Sequence, residues 1–290
     1  MSPSVALSVY VDDVRRFDKD RFLSALLAGK ETRQALFALY AFNLDVAGIR
    51  EQVAEPAMGL IRLQWWRDAL GGLHDGSGAP DVAGYGARGH PIVVALADVA
   101  RTRPFDPAHL DALLDAREAD WETRPFADTA SFLAYADATA GRLNQAALDV
   151  LGAHDAASQT AGRNIGTAWA VVGLIRAVPF HARMGRVCMP ADVMAKHRVS
   201  EAGIRSGNGS EGLNALALEL GAHADYLIGQ ARLLKKQAAR SALPVLFQAR
   251  QAEVYLRRLR RVGGNPFDRR LTETGPAILP FMTSHMFGFW

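Results

Sequence analysis

Apolar side chains recur at helical spacing along almost the whole chain. In residues 31–51, Ala35, Leu36, Leu39, Tyr40, Asn43 and Ala47 share one face of a 3.6-residue helix, and the spacing predicts a helix there. The stretch MGLIRLQWWRDALGG repeats the pattern through Leu60, Ile61, Gln64, Trp65 and Leu70, and the Gly pair after Leu70 predicts its end. Helical spacing resumes over 91–100 and 107–120, the second with Pro107 in a first turn, where a missing N–H costs nothing. Segments 129–152 and 156–180 are rich in Ala, Leu and Val without a strictly polar face, which predicts two helices buried on most sides as a central pair. Segments 213–236 and 242–262 return to the helical period.

Two polar, Gly-rich stretches, residues 74–89 and 201–212, interrupt this order and read as loops. Convincing period-2 alternation is absent. The expected fold class is therefore all-α: a single-domain helical bundle of eight to ten helices over residues 1–290, with a core at 12–270, an apolar tail at 271–290 and no solenoid repeat.

Composition narrows the function classes. Apolar residues make up 49% of the chain, enough for a substantial core, and charged residues 22%. Uninterrupted apolar runs fall short of the roughly 18–20 residues of a membrane span. The first twenty residues lack a basic segment followed by an apolar one, so a cytoplasmic location is expected, peripheral to an inner membrane at most. Cys188 is the lone cysteine, which rules out an intrachain disulfide and a thiolate metal cluster. A net charge of +3 is too weak to indicate nucleic acid, although Arg257, Arg258, Arg260, Arg261, Arg269 and Arg270 concentrate charge near the end and suit an anionic membrane surface.

Two stretches carry a family resemblance. FALYAFNLDVAGIREQV and VVGLIRAVPFHARMGRVCMP resemble the two aspartate-rich motifs of the squalene/phytoene synthase superfamily, and the order of the intervening segments fits over residues 12–270. The resemblance implies a fold of the isoprenoid (trans-prenyl) synthase type. In active members, carboxylates one helical turn apart on two helices hold magnesium against a prenyl diphosphate, neutralising the leaving group. Here the positions of the first motif's aspartates are occupied by Ala47, Gly48 and Glu51, and those of the second motif by Ala177, Phe180 and His181. Asn and Gln of the family become Gly173 and Ala170, and Leu44 replaces an arginine. Asp45 lies about 200° around the helix from Ala47 and does not substitute. Ionising an allylic diphosphate without metal forgoes several kcal/mol of stabilisation, so the resemblance implies a non-catalytic relative, a pseudoenzyme with no metal and no cofactor.

Tyr40-Ala41-Phe42-Asn43, Arg62-Leu63-Gln64-Trp65-Trp66-Arg67-Asp68-Ala69 and Tyr135-Ala136 before Thr139-Ala140-Gly141 are closer to a diverged branch, the assembly factors of respiratory complex I. That branch implies a partner that is a respiratory membrane protein or assembly intermediate. Two rival readings stand beside it: a squalene/phytoene synthase-type isoprenoid transferase, which alone would require magnesium, and a binding module for a prenyl- or quinone-like lipid. By resemblance, Tyr40, Tyr135, Arg176 and Arg186 are the candidate ligand- or anion-binding residues.

Several residues admit a bland reading as well. Of Trp65 and Trp66, which diverge by about 100° on a helix, one belongs to the core and the other to an interface or cavity rim. Arg176, in an apolar helix, needs either a carboxylate such as Glu51 or a bound anion. Arg183 and Arg186 beside Gly185 form either a solvated basic loop or a phosphate cradle. The histidines, His181, His197 and His223 among them, lack paired ligand spacing. The tail AILPFMTSHMFGFW either packs back on the bundle or inserts aromatics at a membrane or partner.

Overall fold

The computed structural model describes residues 3–74, 90–272 and Trp290, and among these there is no β-strand, only an isolated parallel bridge between Phe126 and Pro190. Sixteen α-helical segments follow in order. They are α1 (Pro3–Phe17), α2 (Lys19–Ala25), α3 (Lys30–Gln52), α4 (Pro56–His74), α5 (Pro91–Thr102), α6 (Ala108–Arg117), α7 (Thr129–Ala136) and α8 (Arg142–Val150). After them come α9 (Ala156–Arg176), α10 (Val178–Arg183), α11 (Ala191–Lys196), α12 (Glu201–Arg205), α13 (Glu211–Leu233), α14 (Leu243–Leu246), α15 (Gln248–Arg261) and α16 (Arg269–Thr272). The all-α class is as the periodicity indicates. The number of segments exceeds the expected eight to ten because short helices such as α2, α11 and α12 carry too few residues to show a period.

Some boundaries differ from the sequence reading for physical reasons. Helix α4 does not stop at Leu70 but runs on to His74, because neither Gly71 nor Gly72 takes the left-handed conformation that reverses a helix end. The segment expected as one helix over 129–152 is interrupted by a π-helical turn at Asp137–Gly141. That expected over 156–180 ends at Arg176 and restarts as α10, with Pro179 in the new first turn. Part of the stretch read as the second loop is helical: Ser200 caps α12 by accepting from the Gly203 N–H. The first Gly-rich stretch, 75–89, and the tail segment 273–289 lie outside the described residues.

The chain divides into two compact units. The first comprises Met1–Trp121, Arg142–Gln159 and Ala238–Val245. Its central element is α3, which packs against α1, α2, α4, α5, α6 and α8. Every side chain from Ala35 to Asn43 is buried, as a helix surrounded on all sides requires. So α3, not a pair drawn from 129–152 and 156–180, forms the middle of this unit. Trp121 lies across Gly59, where an added Cβ would come within 1.6 Å of the indole, and Arg50 stacks on the same ring at 4.7 Å.

A second organising point of this unit is Asp149. Its carboxylate accepts from the Asp106 N–H at 3.1 Å and from Gln159 Nε2 at 2.8 Å, with His109 and His154 each 3.5 Å away. Burial pushes this carboxyl's pKa up, but the bonds from His109 and the Asp106 backbone, with the nearby charge of both histidines, outweigh burial and hold it below the ordinary value.

The second unit comprises Glu122–Gly141, Thr160–Gln237 and Leu246–Trp290. Here α13 packs on α15 and α11, and α7 packs on α11. The π turn is held by α9. Arg163 pairs with both oxygens of Asp137 at 2.7 and 2.6 Å, Thr167 donates to the same carboxylate at 3.2 Å, and Thr139 donates its hydroxyl to the Tyr135 carbonyl at 2.8 Å. This approach is close enough that a Cβ on Gly166 would stand 2.3 Å from the Ala140 carbonyl oxygen.

Helix propensity alone favours alanine over glycine by about 1 kcal/mol. Gly166→Ala is nonetheless expected to destabilise the protein, by about 2–4 kcal/mol, because backbone cannot yield as a side chain does; a thermal or denaturant melt gives the sign. Asp149→Asn is expected to cost about 1–3 kcal/mol near pH 7. Because the folded pKa of Asp149 is depressed, its contribution is present above the unfolded value and is lost as pH falls through the folded one, so the gap between wild type and variant should close in melts carried below pH about 4.

Candidate functional site

The first motif lies on the outgoing half of α3. Tyr40 is fully buried, with the Arg21 guanidinium 5.8 Å from its ring centre. Beyond Asn43 the helix emerges from the core: Ala47 and Gly48 are half-buried and Glu51 is exposed. Asp45 has a structural role, accepting from the Trp66 indole N–H at 2.9 Å with Arg62 3.6 Å away, so it is engaged elsewhere, as its angle on the helix implies. Of the tryptophan pair, Trp66 is the core residue and Trp65 the half-buried one, and both meet the His90 ring, at centroid distances of 5.4 and 5.2 Å. Burial lowers the His90 pKa, against the opposing pull of Asp45.

The second motif straddles the α9–α10 break. Ala177 is the N-cap of α10, yet the His181 N–H still donates to the Ala177 carbonyl at 2.9 Å, so the two positions stay one turn apart. Phe180 is 36% exposed. The resemblance puts magnesium at these two motifs, and the residues present do not fit it. Neither Ala47 nor Gly48 nor Ala177 nor Phe180 offers an oxygen ligand from its side chain, and among the described residues no group of three or more His, Cys, Asp or Glu is placed to hold a metal ion.

Of the two expectations for Arg176, a carboxylate such as Glu51 or a bound anion, the first is not what the structure shows. Arg176 is half-buried at the end of α9, its guanidinium 3.7 Å from the centre of the Tyr255 ring, and it makes no ion pair among the described residues. The Nε of Arg176 is buried without a hydrogen-bond partner there. Tyr255 is itself buried and receives the edge of Trp169 at 5.9 Å and the Arg258 guanidinium at 5.1 Å. Trp169, Gly173 and Arg176 share one face of α9 by spacing, and a Cβ added at Gly173 would meet nothing within 4 Å. On α15, Gln248 is fully buried with neither amide atom hydrogen-bonded among the described residues. Two guanidiniums on one ring, with open space beside them, suit an anionic or strongly polar group.

Of the other candidates, Tyr135 lies two residues before the π turn with Phe126 5.2 Å from its ring. Arg186 is 8% exposed, so it does not belong to a solvated basic loop, whereas Arg183 is exposed. The structure brings Arg176 together with Tyr255, Trp169 and Gly173; Tyr40 belongs to the first unit and Tyr135, Arg176 and Arg186 to the second. Sequence reading missed Tyr255 and Gln248. The signal available was a polar residue repeating at Gln248, Gln251 and Tyr255 on the apolar face of α15. The basic stretch is partly compensated, with Arg260 paired to Asp225 and Arg270 to Asp268.

Residues 14–275 match the family model of squalene/phytoene synthases. The chain belongs to that family. Among its curated relatives, human NADH dehydrogenase (ubiquinone) complex I assembly factor 6 is 25% identical over 267 residues, covering 92% of this chain and 77% of the relative. The Drosophila melanogaster homolog of that factor is 28% identical over 250 residues, 86% of this chain and 73% of its own. The phytoene synthase of Mycobacterium tuberculosis is 24% identical over 258 residues, 86% of this chain and 80% of its own. The fold is that of a dehydrosqualene synthase crystallised with a ligand, at a TM-score of 0.82 and 17% identity over 99% of this chain and 98% of that one. The squalene synthase HpnC of Alicyclobacillus acidocaldarius superposes with a TM-score of 0.77, also at 17% identity, over 91% and 96% of the two chains.

The half-exposed setting of Ala47 leaves room for an acid. Ala47→Asp is expected to lower stability by no more than about 1 kcal/mol, the helix-propensity difference. A denaturation curve close to wild type would mean that packing does not exclude a carboxylate there, while a loss of several kcal/mol would mean that it does.

Proposed function

We propose that this chain is a non-catalytic member of the squalene/phytoene synthase family that assists assembly of respiratory complex I at the membrane surface. The observation that carries this reading is the donor set. Both motif positions that face their helical neighbours one turn away lack paired carboxylates, so the residues present do not supply the metal-borne charge on which ionisation of a diphosphate depends. The similarity to assembly factor 6 of human and fly, over nine-tenths and more than four-fifths of this chain, supports the same reading. No helix among the described residues is long and apolar enough to cross a membrane.

A second reading rests on a separate observation. Arg176, stacked on Tyr255 beside the open space at Gly173, favours retention of a molecule with an anionic head and an apolar body, used as a ligand rather than a substrate.

Purified protein incubated with labelled farnesyl and geranylgeranyl diphosphate, magnesium and a reductant is expected to yield no condensed hydrocarbon, beside an active synthase as control. Deleting its gene in a host that makes complex I is expected to lower assembled complex I several-fold without changing squalene or phytoene content. Turnover in the first experiment would restore the transferase reading, and normal complex I in the second would remove the assembly role.

A further inference from the structure

On α13, Leu218, Ala222, Tyr226, Gly229 and Leu233 succeed one another at helical spacings of three and four residues, so they form one stripe along the helix. The stripe points outward. Leu218 is 37% exposed, Tyr226 65% and Leu233 72%, the last being the most exposed large apolar side chain among the described residues. Ala222 and Gly229 are exposed as well, while Leu220, Ala224, Ile228 and Ala231 bury the opposite face. A continuous apolar stripe left in water marks a contact surface rather than a packing requirement.

The stripe is its own complement. Read from either end it runs large, small, large, small, large. About a midpoint between Asp225 and Tyr226, Leu218 and Leu233 are equidistant, and so are Ala222 and Gly229. A two-fold axis through that midpoint sets Leu218 of one copy against Leu233 of another, and Ala222 against Gly229, where the missing side-chain bulk lets two helices approach. Charge selects the same arrangement. Glu211 is exposed at the N-terminal end and Lys236 just past the C-terminal end, whereas Glu219 is held by Lys196 and His197, and Arg232 by Glu253, within the chain. An antiparallel mate puts each end against its opposite, and the helix dipoles align favourably too. A parallel mate would put like against like. An anionic bilayer is the poorer fit, because Glu211 stands exposed at one end of the stripe.

We propose that the exposed stripe of α13 is a self-association surface on which a second copy of this chain docks antiparallel about a two-fold axis near Tyr226. This rests on the second unit alone and is independent of the assembly reading. One helix pair buries less than a standard interface of about 1,600 Å², so the dimer is expected to be reversible.

The test is sedimentation velocity on the full chain from about 1 to 100 µM, a range that brackets micromolar affinity. Wild type should shift from monomer to dimer across it, and Leu233→Glu and Tyr226→Glu should each weaken the dimer at least about tenfold with unchanged circular dichroism. Leu218→Glu should weaken it, and adding Leu233→Lys in the same chain, which that register places opposite, should recover it, a rescue that only the antiparallel order provides. A wild-type chain that stays monomeric across the range overturns the proposal, as does a dimer indifferent to Leu233→Glu and Tyr226→Glu. Failure of the charge swap to recover association overturns the antiparallel order.

Discussion

The first unit depends on one constraint: α3 has no solvent-facing side from Ala35 to Asn43. A helix buried all round excludes charge along that run and must alternate bulk with gaps so that neighbours can approach. The segment complies, with Ala35, Ala38 and Ala41 interleaved among Leu36, Phe37, Leu39, Tyr40 and Phe42. Burying each of the larger side chains contributes about 1.5–3 kcal/mol, so the run is the strongest anchor of its unit. The same constraint separates scaffold from function along a single helix. Its first half is committed to packing, and the motif positions Ala47, Gly48 and Glu51 begin only where the helix leaves the core.

That separation bears on how the family's fold tolerates change at its motif positions. Substitutions at the emerging end do not disturb the buried run, so acids can vanish from it while the helix stays in place. In the second unit the change takes a different form. Ala177, the former acid position, now caps a short helix, and the nearby Arg176 finds its partner in an aromatic face instead of a carboxylate. Stacking on a buried Tyr ring satisfies a guanidinium partly and leaves its positive field open toward the space beside Gly173.

The outward stripe of α13 follows a further logic. Its buried face secures the second unit, and its exposed face carries apolar bulk that packing within the chain does not use. The proposed self-association uses such a face rather than a cavity.

The all-α class, the long helices α3, α5 and α13, and the degeneracy of both motifs were legible in the sequence, because a 3.6-residue period and the identity of a side chain are local properties. Asp45 was also read correctly as turned away from the motif, since angle on a helix follows from numbering. What the sequence did not show depends on partners distant along the chain. Whether Gly71 ends α4 is decided by backbone conformation, which packing sets. The π turn at Asp137–Gly141 exists because Arg163 and Thr167 grip Asp137 across 26 and 30 residues. The fate of Arg176 turned on Tyr255, and the burial of Arg186 on its surroundings, neither of which a period reveals. The sequence by itself determined which segments are helical and which acids are missing; the tertiary structure alone decided what each buried polar group touches, because a charge or a ring finds its partner in space and not in order along the chain.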